Sequence, residues 1–196
     1  MALSEKLKDA FQRFDQANSE DPNIEVFGGA PYPKELLYAE RMTAVLNDFE
    51  PNASEALQLT ARCQHICRWE IPRNQYEMNK PGYLRWRQDL KKFHAKKART
   101  ILTEVGYDED TIKQVAFLLL KKQLKKSAET QALEDVICLV FLQYYFEPFA
   151  AKHPNEKVID ILQKTWGKMS EKGRQAALQI SFSKTSKNLI DQALKA

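Results

Sequence analysis

The sequence predicts an all-α protein, on three observations. Apolar residues recur at steps of three and four through nearly the whole chain, the spacing that lays a single stripe along a helix. Only six Gly and eight Pro occur in 196 residues. No stretch alternates apolar with polar residues in the manner of a half-buried strand. A single helical domain over residues 1–196, of about eight or nine helices, is therefore expected, large enough to bury a core without covalent staples.

The elements follow in chain order. Leu3, Leu7, Ala10, Phe11 and Phe14 mark a helix over residues 3–17. Residues 18–33 contain Asp21-Pro22, Gly28-Gly29 and two further prolines, and read as an ordered loop. A second helix starts near Pro33 and carries Leu36, Leu37, Met42, Val45 and Leu46. Asn52-Ala53-Ser54-Glu55 reads as a variant capping box opening a third helix, which leads into Cys63-Gln64-His65-Ile66-Cys67-Arg68-Trp69-Glu70. Residues 71–81, with Pro72 and Pro81, form a loop beside that stretch. From Gly82 a long helix runs to Val105 and stops at Gly106; Asp108 caps the next. Ser127 caps a helix reaching about Ala150, whose segment 136–142 is apolar on every face and so marks the most buried helix. His153-Pro154 starts another helix, ended by Gly167; Ser170 starts one reaching about Ser183, and a last short helix covers residues 186–195.

Charged residues make up 29% of the chain and the formal net charge is +4. That balance suits an anionic ligand and falls short of a dedicated DNA binder. Three cysteines, an odd number without a paired framework, indicate a reducing compartment. Residues 1–20 have no apolar signal-like run, and no 18-residue apolar window occurs, so a cytoplasmic protein with no membrane span is expected. Walker loops, glycine-rich dinucleotide turns and nucleophile elbows are absent from the sequence. Cys63, Cys67 and Cys138 read as small buried apolar residues rather than zinc ligands.

Two groups of residues could carry chemistry. His65 lies in line with Leu57, Ala61 and Trp69, and His94 with Leu90, Ala98 and Ile101, so both imidazoles should point inward. Glu134 and Asp135 immediately precede the apolar run 136–142, where an ionised carboxylate is costly unless a cation or metal meets it. Two imidazoles and one carboxylate from three helices could hold a metal, or each could be a satisfied core residue. The second group is basic. Arg85, Arg87, Lys91, Lys92, Lys96, Lys97 and Arg99 share one helix, Lys121, Lys122, Lys125 and Lys126 end another, and Tyr83, Trp86, Arg68, Trp69 and Arg73 lie near the first in sequence. Such a set suits a phosphate and a base, or simply a solvated helix face.

Several of these stretches resemble a known family. They are Tyr32-Pro33-Lys34-Glu35-Leu36-Leu37-Tyr38, Arg62-Cys63-Gln64-His65, Arg68-Trp69-Glu70-Ile71-Pro72-Arg73, Leu90-Lys91-Lys92-Phe93-His94 and Leu133-Glu134-Asp135-Val136. Together they are similar to a family of uncharacterised all-α proteins, a domain of unknown function whose members often carry a glutamyl-tRNA synthetase label. The nucleotide-binding motif and parallel sheet of such a synthetase have no counterpart here; Lys168-Met169-Ser170-Glu171-Lys172 reads as a helix N-cap. The order of polar residues more distantly resembles the HD-domain superfamily of metal-dependent phosphohydrolases. That resemblance implies a divalent metal (Mn, Fe or Mg) on His65, His94 and Asp135. Ile66 stands where the superfamily has its doublet aspartate, and on the helix at 34–47 Glu35, Tyr38 or Glu40 stands in for the leading histidine.

Two functions are thus expected as alternatives. One is a metal-dependent phosphohydrolase acting on a nucleotide or small phosphate ester, with Glu70 or Glu134 as base or outer partner and Arg68, Trp69, Arg73, Arg87 and Lys91 holding the substrate. The other is a non-catalytic module binding an anionic ligand or RNA through Arg68, Trp69, Arg73 and the basic helix 85–99.

Overall fold

The fold is described from a computed structural model, over residues 4–195. It is helical almost throughout. Among the described residues it contains α1 (Glu5–Ser19), α2 (Lys34–Phe49), α3 (Glu55–Cys63), α4 (Lys80–Val105), α5 (Glu109–Leu119), α6 (Ala128–Val140), α7 (Phe146–Ala150), α8 (Asn155–Lys168), α9 (Glu171–Ala177) and α10 (Lys184–Lys195). Leu3, expected on the first helix, lies outside the described residues. Seven starts use one device: Ser4, Ser54, Asn79, Asp108, Ser127, Ser170 and Ser183 each accept the N–H of the residue three positions on. Such a cap contributes about 1 kcal/mol.

The sequence reading needs five corrections. Residues 18–33 are not only loop: Ile24–Phe27 (β1) pairs antiparallel with Ala30–Pro33 (β2), with Ile24 opposite Pro33 and Phe27 opposite Ala30. Gly28 and Gly29, at φ 59° and 81°, make the two-residue turn that requires positive φ at both positions. The hairpin buries no complete face, and Val26 is 74% exposed, so there was no alternation to read. The third helix ends at Cys63 rather than continuing past His65; Cys67 turns left-handed at φ 50° and Arg68–Glu70 forms a 3₁₀ turn. The helix from Ser127 is interrupted by a π turn at Phe141–Tyr145, and α9 stops six residues short of Ser183. Gly167 lies within α8, which ends at Lys168.

Contacts divide the chain into two compact units, residues 1–47 with 51–122, and residues 48–50 with 123–196. In the first unit α1 packs on α3 and α4, and α5 packs on both of these. Its core includes Phe11, Phe14, Leu59, Ile66, Leu102, Ile112, Val115 and Leu119. Complete burial of a side chain the size of Phe14 stabilises by roughly 1.5–3 kcal/mol. Gly106, at φ 88°, ends α4 in the left-handed conformation and turns the chain into α5.

The second unit is built on α6. Leu133, Val136, Leu139, Val140, Leu142 and Phe146 are buried, while Ile137 and Phe141 remain half-buried. Helices α8 and α9 pack on α6, and α10 packs on α8. No helix among the described residues is long and apolar enough to cross a membrane.

Candidate functional site

His65 sits in the turn after α3, and residues remote in sequence fix its place. Asn18, at the end of α1, accepts the Cys67 N–H through Oδ1 at 3.0 Å and donates to the Glu35 carbonyl at 3.5 Å. Asp21 accepts the Glu35 N–H at 3.0 Å and so caps the first turn of α2. One side-chain pair therefore ties the turn at 64–67 and the start of α2 to the same point. Glu35 Oε2 then lies 3.1 Å from His65 Nδ1, and the Tyr38 ring stacks on the imidazole at 4.0 Å between centroids and 12° between planes.

On the other side stands α4. Arg87, Leu90, Lys91 and His94 fall at steps of three and four, one face of the helix. They line a small pocket with Gln64, His65, Arg68 and Lys121. Lys121 lies two residues beyond the end of α5, in a left-handed conformation at φ 52°. The rings of His65 and His94 are 5.9 Å apart. Arg68 Nη1 lies 3.0 Å from His65 Nε2 and 3.2 Å from Nδ1, and its guanidinium covers Trp86 at 5.0 Å. Trp86 in turn donates from Nε1 to the Ile71 carbonyl at 2.8 Å, which anchors the following loop.

Three features mark the pocket as more than packing. Arg87 makes no hydrogen bond or ion pair among the described residues, although its side chain is half-buried. His94 is 4% exposed and Gln64 6%, yet His94 Nε2 and Gln64 Oε1 have no hydrogen-bond partner. A buried polar atom without a partner costs about 1–3 kcal/mol. Finally, four cations line the pocket and no Asp or Glu does. The free volume, about 20 Å³, is the size of one water.

The electrostatics follow from this arrangement. Burial, then the charges of Arg68, Arg87, Lys121 and Lys34, push the His65 pKa well below the ordinary histidine value. Burial, then His65 and Arg68, do the same to His94, with Glu35 opposing. Both imidazoles are therefore neutral at physiological pH. Burial raises the Glu35 pKa, against Arg68 and Lys34. Neutral His65 satisfies its neighbours when Nδ1–H donates to Glu35, which leaves Nε2 as an acceptor facing Arg68.

Of the residues singled out in the sequence, His65, His94, Arg68, Arg87, Lys91 and Lys121 come together here; the remaining candidate site residues do not line the pocket. Trp69 packs against the core of the first unit. Arg73 clamps its own loop, donating to the carbonyls of Tyr76, Glu77 and Asn79 at 3.1, 2.6 and 3.3 Å. Glu70 is exposed and pairs with Lys97 at 2.7 Å. Glu134 and Asp135 belong to the second unit. Glu134 Oε1 lies 3.9 Å from Lys168 Nζ. Asp135 accepts from the Ser170 N–H at 2.8 Å, the Ser170 hydroxyl at 2.5 Å and Gln131 at 3.2 Å. Of the three residues on the helix at 34–47, Glu35 and Tyr38 reach His65, whereas Glu40 accepts from the Tyr32 hydroxyl at 2.6 Å.

The residues present do not fit the divalent metal implied by the HD-like pattern. Among the described residues no group of three or more His, Cys, Asp or Glu is placed to hold one. Asp135 has its carboxylate committed to the start of α9, and the field that keeps both imidazoles neutral also repels a divalent cation. Sequence reasoning missed Gln64 as a pocket residue. No local signal distinguishes it, because its burial depends on α4 packing beside the turn.

No curated protein and no solved structure matches the chain significantly. The family described as Domain of unknown function (DUF4202) matches over residues 8–190, nearly the whole chain, and the protein belongs to that family.

Proposed function

We propose that the first unit binds the phosphate group of a small anionic ligand, in the pocket between the turn at 64–68 and the face of α4 that carries Arg87 and His94. The observation that carries this reading is Arg87, a half-buried guanidinium without a protein acceptor in a pocket lined by three further cations. Guanidinium groups bind phosphate through two parallel hydrogen bonds, stronger than neutral ones. Arg68 supports the same role, because its protein partner there is a neutral imidazole. Glu35 stands behind His65 and orients it. An oriented imidazole beside a bound phosphate can accept or release a proton, so the site also has the means for proton transfer.

The test is titration of ¹⁵N-labelled protein with inorganic phosphate and with a panel of phosphate monoesters. Saturable shifts confined to Arg68, Arg87, His65 and His94 are the expected result. Unmoved Arg87 and imidazole signals at millimolar ligand would end this reading.

A further inference from the structure

Building on the anion-binding reading, we propose that the pocket selects a phosphoryl group carrying its own proton, hydrogenphosphate or a phosphomonoester monoanion, over sulfate, with His65 Nε2 and Gln64 Oε1 as the acceptors. A pocket made only to attract negative charge needs donors alone. This one also holds acceptors at its floor. Gln64 Oε1 is buried and unpartnered, and an amide oxygen can be satisfied only by a donor. His65 keeps Nε2 as an acceptor because Glu35 Oε2, 3.1 Å from Nδ1, takes the N–H on the other side; Arg68 Nη1 occupies that lone pair at 3.0 Å and frees it when the guanidinium turns to the anion.

Protonating these imidazoles to turn them into donors is opposed from every element around them. Arg68 comes from the same turn, Arg87, Lys91 and His94 from α4, Lys121 from the end of α5, and Lys34 from the start of α2. Only Glu35 acts in the other direction, and Tyr38 contributes an uncharged ring face. An anion without a proton therefore meets its cations but leaves Gln64 and one imidazole facing oxygen lone pairs. Hydrogenphosphate, of the same charge and nearly the same size as sulfate, places an O–H there instead. For a phosphomonoester, whose second pKa is about 6, the matching form is the monoanion, so its binding strengthens as pH falls toward that value.

The experiment is calorimetric titration of the full chain with hydrogenphosphate and with sulfate at pH 8 and equal ionic strength. Hydrogenphosphate is expected to bind about tenfold more tightly, the equivalent of one net hydrogen bond. Gln64→Leu should narrow that ratio to about threefold or less, chiefly by weakening hydrogenphosphate. Equal affinities, or tighter sulfate, in the unaltered protein overturn proton selection while leaving an anion site in place. If neither ion binds, the anion site itself is wrong. The comparison in the unaltered protein decides the matter even where Gln64→Leu fails to fold.

Discussion

Replacing Arg87 by glutamine separates ligand binding from folding more cleanly than any other change in the pocket. The guanidinium has no protein partner among the described residues, so its removal breaks no hydrogen bond or ion pair. Exposed or half-exposed substitutions away from such contacts fall within about ±0.5 kcal/mol of the parent stability. Its loss also relieves one of the charges that depress the His65 pKa, so that pKa should rise toward the ordinary value. Affinity for phosphate is another matter. A hydrogen bond to a charged partner contributes roughly 1.5–3 kcal/mol, so Arg87→Gln should weaken phosphate binding by roughly 10- to 150-fold. Urea denaturation gives the first quantity, calorimetric titration the second, and the imidazole resonances the third. Arg68→Gln is the control with the opposite signature: it removes a contact to His65 and the cover over Trp86, and should lower stability as well as affinity. An Arg87→Gln protein that binds phosphate within about threefold of the parent, or that loses more than about 2 kcal/mol of stability, refutes the assignment.

Three further outcomes are expected. Because the folded pKa values of His65 and His94 are depressed, their contribution to stability is complete above about pH 6.5. It falls below that value, where the unfolded chain takes up protons that the folded chain refuses, and levels off beneath the folded values. Glu35 runs the other way: its raised pKa stabilises at low pH and loses that effect as pH rises through the folded value. Denaturation midpoints of the parent and of His94→Gln between pH 7.5 and 5 check this, and a parent slope no steeper than the variant's would contradict it. Gly173→Ala should destabilise by about 2–3 kcal/mol, since a Cβ there would lie 2.5 Å from Asp135 Oδ1, and that oxygen cannot yield without releasing the Ser170 amide; a melting temperature equal to the parent's would sink the argument. Burial raises the Cys67 thiol to about 11 and Cys63 further still, so a thiol reagent at pH 7.5 should modify both only as fast as the protein opens, and labelling of the native protein within seconds would count against it.

How much of this was legible in the sequence depended on whether the signal was local. Helix starts were legible, because Ser54, Asp108, Ser127 and Ser170 carry their capping chemistry within four residues. The hairpin was not, because periodicity reports burial and Val26 and its neighbours bury no face; the Gly28-Gly29 pair was the available sign. The inward direction of His65 and His94 came from their alignment with Leu57, Ala61, Leu90 and Ala98. The partner of His65 could be narrowed to Glu35, Tyr38 or Glu40 and no further. Choosing among them requires Asn18 and Asp21, which seat the turn at 64–67 and the first turn of α2 from residues outside both. Asp135 shows the opposite limit. A carboxylate at the edge of an apolar run does need a partner, and its partner is the start of α9, a helix 35 residues on.

That contrast also bears on what the pocket is for. Where this chain buries a charge for structural reasons, it supplies the partner: Asp135 has Ser170 and Gln131, and Arg62 is held by Asp15. In the pocket the opposite choice is made. Arg68 and Arg87 stand beside imidazoles that their own field keeps neutral, and the buried Glu35 engages a histidine rather than either guanidinium. Beyond the contacts of Arg68 with His65 and Trp86, such an arrangement contributes little to folding, since like charges gather around groups that they hold neutral. Replacing His94 and Gln64 with apolar residues of similar shape would remove two buried unpartnered atoms at little cost to packing. Stability alone therefore does not account for these residues standing together, whereas the proposed anion would give the clustered cations a counter-charge.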